Sequence, residues 1–375
     1  MTNKISCVEI KDFLVFKGEF RADFSPGINV LIGENGSGKT TLMKVLYRLC
    51  GNSKNYHTEE FFFAVGRWNG EFSNRPFEHL RMQMDTGKEV SRICVKSLRC
   101  SGLGEEEGGG DRILDDQKWE LYYPDVYKDN FTETHAVING DCQDELVFST
   151  DNYSVTPSIF IPIADMLSHA NGLLEMIDAY EMDFDATQVD ILRNAQRPAL
   201  REMKANLSKV LDKIGIMIGG EVMLDKGRFF LKKNDGQKVE FSIEASGLAR
   251  LGLLWKLLRN GLLEPGSILF WDEPEASINP WLIPSLVDIL LELQRCDVQI
   301  FVATHSYDIA RWFELNHTTG DQLRYFNMRK EECGVAFDVA DDYLSLPSSI
   351  IEDAGDKLLQ RVTETAAESA GVILK

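Results

Sequence analysis

Residues 33 to 41 read Gly33-Glu34-Asn35-Gly36-Ser37-Gly38-Lys39-Thr40-Thr41. Three glycines in six positions give up side chains, and a cation and two hydroxyls follow at once. The spacing fits G-x-x-x-x-G-K-[ST] in full. Bare backbone N–H groups there can wrap the β- and γ-phosphates of a nucleotide, and the dipole of a following helix adds to the pull. Lys39 supplies a point charge to the β/γ-oxygens, and Thr40 a hydroxyl to Mg²⁺. Glu34, Asn35, Ser37 and Thr41 complete the expected cradle. A glycine turn beside a surface lysine would look the same in isolation, so the rest of the chain has to decide.

A second acidic station lies in "SILFWDEPEAS". Four apolar or aromatic residues (Ile268 to Trp271) predict a buried strand that delivers Asp272 and Glu273 to the carboxyl edge of a sheet, where ligands of α/β folds bind. Asp272 is expected to hold Mg²⁺ through water, and Glu273 to polarise the attacking water as general base. Two acids after a strand otherwise serve as a helix cap; a phosphate loop upstream favours the catalytic reading. "VQIFVATHS" predicts another core strand, ending at Thr304-His305. From there His305 can reach a γ-phosphate and sense its loss, although a lone histidine is more often structural. Ser246-Gly247 open a further helix, a second anion-binding N-terminus. One phosphate loop already serves one nucleotide. The second is therefore expected to serve a nucleotide on another subunit, the alternative being an ordinary Ser-capped helix.

The elements that must position these residues are legible around them. "SCVEIKDFLVF" and "GEFRADFSPGINVLI" predict two antiparallel strands and a buried strand ending at Ile32, then the glycine loop, then the helix "KTTLMKVLYRLC". Short strand-like pieces follow ("EHLRMQMDT", "EVSRICVKSL", "KWELYYPDV", "ELVFST"), interrupted by "SGLGEEEGGGD", which predicts a flexible surface loop. "SIFIPIAD" predicts a buried strand. Residues 166 to 217 predict helices, with "LREMKANLSKVLDKIGIMI" the clearest amphipathic stretch. "EVMLDKGRFFLKKNDGQKVEFS" predicts a hairpin turning at Asn234-Asp235-Gly236. "NPWLIPSLVDILLELQRC" predicts a helix between the Asp272 and His305 strands. The alternation implies an α/β fold with a mostly parallel core sheet and an antiparallel N-terminal lobe.

Composition bounds the function. The chain has 375 residues, 44% hydrophobic and 26% charged, with 40 basic against 59 acidic residues and a net charge of -19. That surface repels phosphate backbones as a whole and argues against unaided, nonspecific DNA binding. No apolar run predicts a membrane span or a signal segment. The seven cysteines are scattered with no C-x-x-C pair, which argues against a disulfide framework or zinc site and fits a reducing cytoplasm.

Taken in order, the phosphate loop, the Ser-Gly helix start, the strand with Asp-Glu-Pro and the strand with Thr-His resemble the heads of ABC-type P-loop ATPases. The resemblance assigns 33–40 to Walker A, 244–248 to the signature, 268–273 to Walker B, 275–279 to the D-loop and His305 to the H-loop. It covers roughly residues 1–50 and 240–315. It implies ATP and Mg²⁺ as cofactors, and a homodimer or higher oligomer that sandwiches two nucleotides, Ser246 of one head facing the nucleotide on Lys39 of the other. The signature reads "EASGLAR" rather than L-S-G-G-Q, and no clear Q-loop glutamine stands out; the turn after "SIFIPIAD", with Asp165 or a neighbour, is the candidate by position. The long separation of Lys39 from Asp272 is similar to the SMC, RecF and OLD-related heads, here with a short helical arm.

The four expected segments are a first ATPase lobe (1–165), the arm (166–217), a second lobe (218–340) and a C-terminal helical tail (341–375). The nearest likeness is to the "AAA family" ATPases of prokaryotic defence islands, such as the ATPase subunits of Septu-type (PtuA) and retron-associated systems. The stretch after His305 is expected to be too short for the Toprim domain of OLD nucleases, and Asp338, Asp341 and Asp342 to form a solvated turn. The resemblance therefore implies an ATP-gated switch acting on a separate effector, such as a nuclease. The alternative is a RecF-like repair ATPase that clamps DNA directly, which predicts a basic face; Lys204, Lys209 and Lys213 lie on the arm but, interspersed with apolar residues, read first as a surface helix.

Overall fold

A computed structural model describes residues 4–50, 79–85, 90–99, 132–136, 144–151 and 156–369, apart from 181, 183, 333, 348 and 349. The expected loop at 101–111 and the strand-like piece at 118–126 lie outside the described residues.

The site is built on a six-stranded sheet. Its strands are β3 (Ile28–Gly33), β8 (Ser158–Ile161), β12 (Ile268–Asp272), β13 (Gln299–Thr304), β14 (Leu323–Glu331) and β15 (Gly334–Ala340). Their order is β15-β14-β3-β13-β12-β8, with every neighbouring pair parallel except β14 with β15. Both faces of this sheet are covered, which is why its central strands read as unbroken apolar runs rather than alternating ones. Successive residues of β12 go to opposite sides: Leu269 and Trp271 into one core, Ile268 and Phe270 into the other. On the second side, Phe160, Phe270 and Phe301 stack across β8, β12 and β13.

That second core is closed by α1 (Lys39–Cys50) and by β1 (Lys4–Phe13) and β2 (Phe16–Asp23) of an antiparallel sheet. The antiparallel sheet also holds β4 (His79–Asp85), β5 (Val90–Arg99), β6 (Thr132–Ala136) and β7 (Asp144–Asp151), in the order β2-β1-β4-β5-β7-β6. This is the antiparallel lobe the sequence predicts; β6 is a strand it did not reveal.

The larger core lies under helices α2 (Leu173–Tyr180), α3 (Ala186–Ala195), α4 (Ala205–Ile218), α5 (Ser246–Arg259), α6 (Ile283–Arg295) and α7 (Tyr307–Asn316). The expected arm is thus helical in pieces, and Leu174, Ile191, Leu192, Leu207, Val210 and Ile214 are buried in this core. The amphipathic stretch begins its helix at Ala205, not at Leu200. Leu200 is held elsewhere: its N–H donates to Arg259 O (2.9 Å) and its carbonyl accepts from Arg259 Nη1 (2.7 Å). The expected single hairpin is a three-stranded sheet of β9 (Gly220–Asp225), β10 (Arg228–Lys233) and β11 (Lys238–Glu240). Its extra turn is Lys226-Gly227, at φ 50° and 77°, the left-handed pair that a two-residue hairpin needs. The tail helix α8 spans Ile350–Ser369.

Candidate active site

The parallel strands bring the predicted residues to one edge. β3 runs into the glycine loop, β12 ends at Asp272, and β13, lying between them, ends just before His305. Gly33 answers a packing demand as well as a phosphate one. At φ 145°, a Cβ there would lie 1.9 Å from the Met328 carbonyl of β14.

Lys39 opens α1 and folds back into the loop. Its ammonium donates to Gly33 O (2.9 Å), Glu34 O (2.8 Å) and Ser37 Oγ (3.3 Å). Burial pushes this lysine down to about 8, against the opposing pull of Asp272 and Glu273. Thr40 Oγ1 lies 3.0 Å from both carboxylate oxygens of Asp272. Burial raises the Asp272 carboxyl and the charge of Glu273 adds to the rise, while the Thr40 bond opposes it. A hydroxyl and a carboxylate at one point suit Mg²⁺, a hard cation that takes its remaining ligands from water and nucleotide phosphates. No cluster of three or more His, Cys, Asp or Glu residues suited to a metal occurs among the described residues, and a magnesium held this way needs none.

Glu273 sits at φ 45°, a conformation rare outside glycine and often found at functional sites. Its N–H donates to Ala303 O (2.8 Å), so β12 stays tied to β13 one residue past its end. Its carboxylate meets His305 Nε2 at 3.0 Å. The other ring nitrogen, Nδ1, lies 3.0 Å from Gly33 O and 3.4 Å from Lys39 Nζ. Lys39, His305 and Glu273 thus form one linked set, and Thr40 and Asp272 a second pair at the same sheet edge; in both, polar groups occupy one another where a nucleotide, metal or water would act.

The other predicted residues are placed differently. Glu34 turns its carboxylate toward the Lys330 N–H (3.4 Å), while Asn35 and Gly36 are exposed and Thr41 is half-buried. Ser246 and Gly247 stand outside the hydrogen-bonded set. Ser246 is exposed at the first turn of α5, and Ala245 occupies the cap position with no side-chain bond, so the Ser-capped alternative does not hold. Gly247 is buried because a Cβ there would lie 2.3 Å from Ser277 O of the D-loop. Asp165 caps its own turn, accepting from Ser168 N–H (3.2 Å) and Oγ (2.5 Å). Among the carboxyl-terminal acids, Asp338 pairs with Arg329, Asp341 with Arg324, and Asp342 caps a short 3-10 turn.

Sequence reasoning missed two residues. Arg250 is buried on α5, one helical turn after Ser246. Its guanidinium donates to the carbonyls of Asp272 (2.6 Å), Glu273 (2.5 Å), Ala276 (3.1 Å) and Pro162 (3.4 Å). Burial lowers it, and Glu275, Asp272 and Glu273 hold its charge in place. Its signal was a cation inside the apolar run "SGLARLGLLW". Glu275 is the second: its carboxyl is buried, which raises it, and it accepts from Thr304 Oγ1 and the His305 N–H.

Comparison with known proteins bears on the fold and on the ATPase assignment. Residues 4–78 match the family model described as "AAA ATPase domain". Residues 147–310 match the one described as "AAA domain, putative AbiEii toxin, Type IV TA system". A solved structure titled as the SmcHead bound to the C-winged helix domain of ScpA superposes over 91% of this chain and 99% of its own, with a TM-score of 0.52 at 12% identity. The fold is that of an ABC-type ATPase. Among curated relatives, the DNA replication and repair protein RecF of Desulfitobacterium hafniense, in two strains, is 28% identical over 113 residues. That match spans 28% of this ATPase and 30% of the RecF chain. No helix among the described residues of the ATPase is long and apolar enough to cross a membrane.

Proposed function

We propose that two copies of this ATPase close head-to-tail around Mg-ATP, Ser246 of one copy facing the nucleotide held by Lys39 of the other. The closed pair acts as a switch on a separate effector protein, a nuclease, in antiphage defence in the cytoplasm. The observation that carries the dimer is the pairing of an exposed Ser246, at the N-terminus of a 14-residue helix, with Gly247 pinned against the D-loop. A helix N-terminus held in place this way can receive an anionic group from another molecule. The family description that names a toxin and a TA system is what supports a reading in which this ATPase works with a second protein.

On binding, Lys39 exchanges its carbonyl partners for phosphate oxygens; Thr40 and Asp272 are the residues that would hold Mg²⁺, which would supply charge neutralisation at the phosphates. His305 turns toward the γ-phosphate and releases the Glu273 carboxylate, which then takes the proton of the attacking water. A RecF-like DNA clamp is the second reading. It is favoured by the RecF match and by Arg197, Arg201, Lys204 and Lys209, all exposed between α3 and the middle of α4 in a chain of net charge -19.

The deciding experiment is the solution mass of the Glu273→Gln protein, with and without Mg-ATP and with a DNA duplex added. A doubling with Mg-ATP is expected. An unchanged mass overturns the ATP-dependent dimer, and a further gain with DNA moves the assignment to the clamp.

A further inference from the structure

We infer that Glu275 is a positioning residue for hydrolysis: it fixes His305 relative to Glu273 and makes the position of the D-loop felt at the reacting water. The inference rests on the ATPase reading of the site.

Glu275 lies two residues beyond the general base, where the chain doubles back in a pair of tight turns. Ala276 N–H donates to Glu273 O, and Ile278 N–H to Glu275 O, both at 3.0 Å. Ser277 stands at φ 63°. This folding drives the Glu275 side chain inward, toward the end of β13. One oxygen, Oε1, accepts from Thr304 Oγ1 (2.5 Å) and from the His305 N–H (3.3 Å). Thr304 Oγ1 in turn accepts from the Ser306 N–H (2.9 Å), and Ser306 caps α7 through the Ile309 N–H (3.4 Å). A single carboxylate oxygen therefore organises the whole 304–306 turn from which the His305 ring projects.

The opposite side of the loop is clasped by α5. Arg250 holds the Glu273 and Ala276 carbonyls, and Gly247 abuts Ser277 O. Residues 273 to 278 are thus gripped between the signature helix and the His305 turn; the Glu273 side chain meets the His305 ring, and the Glu275 side chain bonds Thr304 and the His305 backbone. Among the described residues, none hydrogen-bonds the buried Glu275 Oε2. A carboxylate oxygen left unpaired in the interior is unfavourable and asks for an explanation. Here the group is held in place for what Oε1 does.

The test compares wild type, Glu275→Gln, Glu275→Ala, Thr304→Val and the Ala/Val double variant in steady-state ATP hydrolysis, with backbone amide exchange at 304–306 read in parallel. The glutamine amide oxygen can accept both bonds, so Glu275→Gln is expected to keep most of the turnover. Misplacing a reacting group costs on the order of tenfold to a hundredfold, so Glu275→Ala and Thr304→Val are each expected to lower kcat by that much while the KM for ATP stays near wild type. The double variant is expected to be no worse than the poorer single, because both act through one contact. Amide exchange at 304–306 should quicken in the Ala variant and not in the Gln variant. Wild-type kcat in Glu275→Ala overturns the inference, as does Gln damaging turnover as much as Ala, or KM rising in step with the fall in kcat. A wild-type protein that hydrolyses no ATP overturns the ATPase reading instead, and the amide exchange still reports whether Glu275 holds the turn.

Discussion

Lys39 is buried and hydrogen-bonded to its own loop before any nucleotide arrives. Its titration near 8 has a sign that can be checked. Below that pH the free site already carries the charge that phosphate needs. Above it the free lysine is neutral and must take up a proton to bind. ATP affinity is therefore expected to be flat up to about pH 8 and to fall above it. Calorimetry in buffers of different ionisation enthalpy should show proton uptake only in the upper range. The same shift acts on folding. Unfolded lysine holds its proton up to its ordinary 10.5, so between about 8 and 10.5 the unfolded chain binds more protons and this group's contribution to nucleotide-free stability rises with pH. Glu273 carries the other prediction at this scale. Glu273→Gln keeps the Thr40–Asp272 metal position and loses the proton acceptor, so it should bind Mg-ATP with near wild-type affinity and turn it over on the order of a hundredfold more slowly or worse. Hydrolysis at the wild-type rate would remove Glu273 from the role of base.

Between elements, the joint that matters is α5 against the loop after β12. Arg250 donates to the carbonyls of Asp272, Glu273 and Ala276 there and to that of Pro162 after β8, and the helix that carries Arg250 also carries Ser246. A signature helix that moved alone would strand those carbonyls without partners. Arg250→Met keeps the stem of the side chain and removes the donors. It is expected to destabilise the fold by about 3 kcal/mol and to quicken amide exchange across 273–278, with ATP affinity at Lys39 little changed. Denaturant unfolding and exchange mass spectrometry would check the two halves separately. Unchanged exchange in that loop would mean that the D-loop holds its shape without Arg250.

At the scale of the whole molecule, one chain holds the candidate phosphate-binding edge and, apart from it, the exposed Ser246. The head-to-tail pair makes a specific demand on that residue. In the Glu273→Gln background, Ser246→Arg is expected to abolish the ATP-dependent doubling of mass. Ser246 is exposed and its side chain caps nothing, so the monomer should fold and bind ATP as before. Persistence of the doubling would place the contact surface elsewhere. A DNA clamp predicts something different. Binding through exposed arginines and lysines of 197–209 should weaken steeply with salt, whereas closure on ATP should not.

The sequence by itself determined the ATPase assignment and most of the frame. The glycine loop, the two acids after "SILFW" and the Thr-His after "VQIFVA" were legible because each follows an apolar run long enough to be a buried strand, and parallel strands present their carboxyl ends together. Local pattern cannot tell how elements are brought against one another, and that is where tertiary structure decided. Leu200 left its helix because Arg259 holds its backbone. The helices expected as an arm are buried in the main core because their apolar faces meet α5 and α6. Gly247 is a glycine because a loop thirty residues on comes within a Cβ of it. Arg250 and Glu275 looked like ordinary charges in the sequence. They acquire roles only when carbonyls and amides from distant segments converge on them, since a buried charge is stable only where folding supplies its partners.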